Sequence, residues 1–178
     1  MKRKTIIIIC VIVAVAIAIG AYLMRPVSPS KTESLSSNGL DILISYSAPY
    51  KKGRLIFGEA SQKALVPYGA YWRLGANKAT EITFNKDITF AGKSVKSGSY
   101  RMFAVPGEKV WEIILNKGLG KSGAEEPDRS LDVLAIETES KSISSETEQF
   151  TIDLEEKGTE IIMRLIWDRT EIVIPILH

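Results

Sequence analysis

Beyond residue 40, apolar side chains recur at every second position, and this rhythm limits the chain more than any other feature of its sequence. Alternation with period two places one side chain of each pair on a buried face and the next on an open one, which is the signature of a half-buried β-strand. Leu40, Ile42, Ile44 and Tyr46 alternate with Asp41, Leu43 and Ser45. Glu81 to Phe84 is a short strand, and Asn85-Lys86-Asp87 turns it into Ile88 to Phe90; Ala91-Gly92-Lys93 turns again. Ser99 to Val105 and Val110 to Leu115 form a hairpin across Pro106-Gly107-Glu108. Phe150, Ile152 and Leu154 share a face, and Glu156-Lys157-Gly158 turns into Ile161, Met163, Leu165 and Trp167. Asp168-Arg169-Thr170 reads as one more turn, into Ile172, Ile174 and Ile176, which completes a three-stranded meander. Pro175 suggests that the last strand runs at an edge, where a missing N–H is tolerated. No helical period is sustained after residue 40, and many short strands with turns at close intervals predict an all-β, antiparallel, two-sheet sandwich of jelly-roll-like form over residues 40–178. Gly118 to Ser130 is read as a loop.

A different pattern precedes the domain. Lys2-Arg3-Lys4 leads into Ile6 to Met24, 19 residues without a charge. As a helix this run spans about 28 Å, close to the hydrocarbon thickness of a bilayer. The basic cluster keeps the N-terminus in the cytoplasm and sends the domain across. Residues 1–25 are therefore expected to be a transmembrane anchor, touching the membrane through residues 5–24, with Arg25-Pro26 ending the helix. A cleaved signal peptide is the competing reading, with Ala16-Ile17-Ala18 as the cleavage site. Both readings export the domain, to the periplasmic or extracytoplasmic side of a bacterial inner membrane in the anchored case. Residues 26–39, rich in Ser, Pro and Lys, read as a flexible linker.

Charge has to be read in two parts. The first 25 residues hold Lys2, Arg3, Lys4 and Arg25; the remaining 19 basic residues face 21 acidic ones, so the rest of the chain carries 19 − 21 = −2 although the whole is +2. No basic face for nucleic acid is expected. Cys10 is the only cysteine and lies in the apolar run, so the domain stands without a disulfide. His178, the only histidine, is the last residue, which removes histidine-based triads and histidine zinc sites. No cofactor or metal is expected. Gly118 to Gly123 (GLGKSG) matches G-x-G-x-x-G, but no helical pattern follows it, so it is read as a surface loop.

The stretch Leu65 to Thr80, LVPYGAYWRLGANKAT, has no regular period and concentrates aromatic, Arg, Asn and Gly residues. Tyr71, Trp72 and Arg73 could form an aromatic and guanidinium surface for sugars, anions or peptides, with Arg54 joining it. In the bland alternative, Trp72 fills the core, Arg73 ties down carbonyls and Asn77 caps a turn.

These residues also carry a resemblance. SYSAPYKKGRLIFG at Ser45 to Gly58, the Leu65 to Phe84 block, and SGSYRMFAVPGEKVWEIILNK at Ser97 to Lys117 resemble the bacterial domain of unknown function 2911. Arg54, Gly58, Pro67, Tyr68, Trp72, Arg73, Gly75, Asn77 and Thr80 match that family's characteristic positions. The resemblance implies an exported β-sandwich-like domain and no established activity. Where the family pattern has Trp-Gly and an aromatic, this chain has Leu119-Gly120.

The resulting expectation is an extracytoplasmic, non-catalytic ligand-binding or envelope-structural module. Its candidate binding residues are Arg54, Tyr68, Trp72, Arg73 and Asn77, and its partner in the envelope is a small molecule, glycan or protein. The alternative is a carboxylate-dependent enzyme acting on envelope glycans, with Asp132 as one of two converging carboxyl groups. A third reading, assembly with partner chains, would show as a large exposed apolar patch.

Overall fold

The computed structural model describes residues 10–15, 20 and 28–178. Residues 10–15 are helical. The anchor predicted over residues 1–25 falls mostly outside the described residues, and among those described no helix is long and apolar enough to cross a membrane.

The body is nearly all β, as the alternation requires, with single 3-10 turns at Ala60–Gln62 and Arg129–Leu131. Its strands are β1 (Ser30–Ser37), β2 (Leu40–Ser47), β3 (Phe57–Gly58), β4 (Val66–Pro67), β5 (Thr80–Phe84), β6 (Ile88–Phe90), β7 (Lys93–Val95), β8 (Gly98–Val105), β9 (Val110–Asn116), β10 (Asp132–Lys157) and β11 (Glu160–Leu177). Among the described residues, nine of them form one sheet in the order β1-β2-β5-β8-β9-β10-β11-β6-β7, and β3 and β4 make a small parallel pair.

The expected pair of separate sheets is thus one continuous ladder. The reason is the length of β10. Its Asp132–Glu139 half pairs with β9, and its Ser140–Lys157 half pairs with β11; register shifts follow the change of partner, between Ser142 and Thr151. The sheet curls back on itself there. Four strands separate β5 from β6 in the ladder, yet Phe84 meets Phe90 with ring centroids 6.4 Å apart. Likewise Tyr46 of β2 meets Phe150 of β10 at 5.7 Å, and the Tyr46 hydroxyl accepts from the Ile152 N–H at 3.1 Å. Apolar faces from both arms of the curl close on one hydrophobic core.

Three further sequence expectations need correcting. Ser30–Ser37, read as flexible linker, is β1, paired residue for residue with β2. Its signal is the Asn38-Gly39 turn, where both residues have positive φ (50° and 78°), the geometry of a tight hairpin. Polar composition hid it, because β1 is the sheet edge and buries little; Lys31 and Glu33 point inward from it, a device that keeps an edge from pairing with another chain. The meander fails at Asp168-Arg169-Thr170, which is not a turn: β11 runs unbroken from Glu160 to Leu177, and Asp168 (φ 55°) is a kink within it. Pro175 consequently lies on a strand between β10 and β6, not at an edge; the last β10 partner on that side is Ile172, and the Pro175 carbonyl accepts from the Ala91 N–H at 2.8 Å.

β8 and β9 depart from simple alternation, since both of their faces are covered. Met102, Ala104, Trp111 and Ile113 face the main core, while Phe103 and Ile114 are buried on the opposite face. Tyr71 lies against Phe103 with ring centroids 5.5 Å apart, and the Arg129 guanidinium sits 5.6 Å from the centre of the same ring.

Candidate functional site

Two local rules shape the Leu65 to Thr80 stretch. Pro67-Tyr68-Gly69-Ala70 is a tight turn, closed by the Ala70 N–H on the Pro67 carbonyl at 3.3 Å, with Gly69 (φ 73°) supplying the positive φ that such a turn needs. Trp72 then exchanges both backbone hydrogen bonds with Ala104, at 2.8 and 2.9 Å, so its indole enters the interior. The ring stacks on Trp167 at 5.8 Å and meets Phe57, Trp111 and Phe150 edge to face at 5.4, 5.7 and 5.0 Å. Its Nε1–H reaches the Gly75 carbonyl at 3.3 Å. Such aromatic pairs add stabilisation beyond their buried area. Trp72 is therefore part of the core, and the packed-corner reading describes it.

The other candidates are more open. Arg54 is exposed, and its guanidinium donates to the Lys51 carbonyl at 2.9 Å and the Tyr50 carbonyl at 2.5 Å. Arg73 is half-buried, 3.5 Å from the Asn77 carbonyl. Asn77 turns the chain with φ 58°. Arg54, Trp72, Arg73 and Asn77 come together around one cavity of about 320 Å³, whose wall includes Leu65 and Trp167. Among the described residues, neither Arg54 nor Arg73 has a carboxylate within ion-pairing distance. Tyr68 is not brought to this cavity. It lines a separate one of about 240 Å³ with Phe57, Glu108 and Trp111, and burial, followed by the charges of Glu108 and Glu59, pushes its phenol above the ordinary tyrosine range.

Asp132, the carboxylate put forward for an enzyme, is tied down. It accepts from Arg129 Nε at 2.5 Å and from Asn116 Nδ2 at 2.7 Å. Glu112 does converge on the same place, but Arg129 stands between the two acids and bonds both. An arginine shared in this way makes a structural clamp on the start of β10. The GLGKSG segment is a loop with no helix behind it, as expected, and it is pinned: Ser122 bridges to Lys78, and the Gly123 N–H donates to the Asn77 carbonyl at 3.0 Å.

One feature escaped the sequence reading. Directly opposed residues of neighbouring antiparallel strands share a face, and the register lines up Thr32, Ser45, Glu81, Arg101, Asn116 and Asp132 across six strands on the side away from the main core. Arg101 stands in the middle of this polar row and is only 2% exposed. The sequence signal was a charge inside the otherwise buried run Tyr100 to Ala104.

No curated protein and no solved structure matches the chain. The family described as "Protein of unknown function (DUF2911)" matches residues 28–176, from just before β1 to the end of β11, and with nearly the whole described body covered the chain belongs to that family.

Proposed function

We propose that this domain is a non-catalytic binding module of the bacterial cell envelope, held to the inner membrane by residues 5–24, and that it takes an acidic ligand in the cavity lined by Arg54, Trp72, Arg73 and Asn77. One observation carries the reading: two guanidiniums stand at a cavity with an indole in its wall, and neither is matched by a carboxylate. An arginine fork recognises planar oxyanions in two-point fashion, and an aromatic wall suits the apolar face of a sugar. Placement outside the cytoplasm rests on the basic cluster ahead of the apolar run.

The test uses acidic oligosaccharides, both uronic and sulfated, against their neutral counterparts. The wild-type chain is expected to retain acidic ones, and Arg73→Ala and Arg54→Ala each to lose that retention while Tm moves by no more than about 4 °C, the shift expected of a ~1 kcal/mol change in a chain of this size. Equal retention of neutral and acidic sugars, or full retention by both variants, would remove the assignment. A reporter fused after His178 that stays in the cytosol would remove the envelope placement.

A further inference from the structure

Arg101 presents a problem that the site above does not solve. Its side chain is buried, yet among the described residues no carboxylate lies within ion-pairing distance of it. Its Nη2 donates to the Tyr71 hydroxyl and to the Glu125 carbonyl, each at 2.5 Å, and its Nε has no partner at all. A buried charge without a counter-ion is one of the costliest arrangements in a folded chain. Acidic residues are close in register or in sequence, but each is turned elsewhere. Glu81, directly opposite on β5, accepts from the Gly120 N–H at 2.8 Å. Asp132, two strands away, is bonded by Arg129. Glu125 turns its carbonyl to Arg101 and its carboxylate to Lys121, 3.5 Å away.

What meets the buried guanidinium is Tyr71, together with Glu125 of the Gly118 to Leu131 loop. The end of that loop is clamped by Arg129 on Glu112 and Asp132, but its Gly120 to Glu126 stretch is weakly held. Of the loop's residues from Lys121 to Ser130, only Gly123 and Pro127 are buried. The ties of the Gly120 to Glu126 stretch to the rest of the domain are hydrogen bonds, including Gly120 to Glu81, Gly123 to Asn77 and the Tyr71 hydroxyl to the Gly123 carbonyl at 3.1 Å. A segment joined by polar contacts and little apolar burial opens locally at low free energy. Beside it lies a cavity of about 780 Å³, walled by Gly120, Lys121 and Ser122 of the loop and by Thr32, Ser45 and Glu81 of the polar row. Lys31, Lys78 and Lys121 all line it. Raising the Gly120 to Gly123 stretch would extend this cavity along the row to the Arg101 guanidinium.

We propose that Arg101 is the floor of a second, covered site that receives a small oxyanion, a carboxylate or a phosphate, drawn in past the three lysines and seated when the Gly120 to Glu126 stretch lifts. The ligand supplies the counter-charge that the fold withholds. This site is distinct from the Arg54 and Arg73 cavity and stands or falls separately from it.

The experiment follows the Tm of the full chain in detergent at low ionic strength during titration with inorganic phosphate or with succinate, against sodium chloride at matched ionic strength. A rise beyond chloride is expected from at least one of them, and which one responds names the anion. Arg101→Met is expected to fold with a Tm no lower than wild type, since a buried unmatched charge is replaced by an apolar chain of similar length. The same variant should weaken anion binding by at least about tenfold, the loss of a charge-assisted hydrogen bond. No response beyond chloride from either anion overturns the proposal, and so does a response that survives in Arg101→Met. If that variant does not fold, amide exchange at Gly120 and Gly123 of the wild-type chain decides. Exchange that changes with the anion supports the site; exchange identical with and without it overturns the site.

Discussion

Trp72 and Trp167 lie nearly parallel, 18° apart with ring centroids separated by 5.8 Å, and this contact joins the irregular Leu65 to Thr80 stretch to the middle of β11. One member of the pair comes from a segment with no periodic pattern and the other from a strand whose apolar residues alternate up to the kink at Asp168. The cavity wall and the core are thus the same object, so the binding reading and the stability of the domain are not separable at Trp72.

Trp72→Ala is expected to destabilise the domain by about 3–5 kcal/mol, the usual range for removing a buried indole. Urea unfolding of the variant should show a lower midpoint with an unchanged slope. Loss of ligand retention by this variant alone would carry no information about binding, which is why Arg73 and Arg54 are the residues to change.

Asp168 holds a left-handed φ within a strand and also bonds the Lys51 ammonium at 2.7 Å. Both Asp168→Gly and Asp168→Ala remove that bond, but only alanine keeps the backbone penalty. Alanine should therefore be less stable than glycine by about 1 kcal/mol. Equal Tm values for the two variants would show that β11 is not kinked there.

Gly39 closes the β1–β2 hairpin at φ 78°. Gly39→Ala should lower stability by roughly 1 kcal/mol. It should also speed amide exchange selectively over Ser30–Ser37. Uniformly fast exchange across those residues in the wild-type chain would return them to the status of a spacer.

Glu33 faces inward from the edge strand. Burial first, then the charge of Asp153, raises its pKa above the ordinary value, with Lys31 opposing. An acid raised on folding favours the native state while protonated, so its contribution is fully present below its unfolded pKa and is lost as pH rises through the folded one. Glu33→Gln should therefore match wild type near pH 4 and be more stable at pH 7, by no more than ~0.5 kcal/mol for so exposed an edge. A Gln variant that is less stable at pH 7 would reverse the sign and the explanation with it.

Most strands were legible because burial on one face writes itself as alternation. β2, the β8–β9 hairpin and the first run of β11 need only local pattern and turn chemistry. β1 was missed because an edge strand buries too little to need apolar residues, although Asn38-Gly39 marked its turn. The break wrongly placed at Asp168 has the opposite cause, a polar Asp-Arg-Thr triplet that a long strand absorbs with one left-handed residue and a lysine from elsewhere. At the site, the aromatic and arginine stretch was visible as a cluster of residue types, but Tyr68 faces another cavity because the turn at Gly69 sends the chain away after it.

The amino-acid order by itself determined that this body is antiparallel β with an apolar face on most strands, since period-two burial is a property of each segment alone. It also determined the bilayer-length apolar run, again a matter of adjacent residues. Only the tertiary structure decided that β10 serves two ladders and curls one sheet onto itself, that Trp72 is core, and that Arg101 lies buried without a counter-ion. Those facts depend on which strands become neighbours and in what register, and pairing of residues far apart in the chain leaves no periodic trace in any one of them.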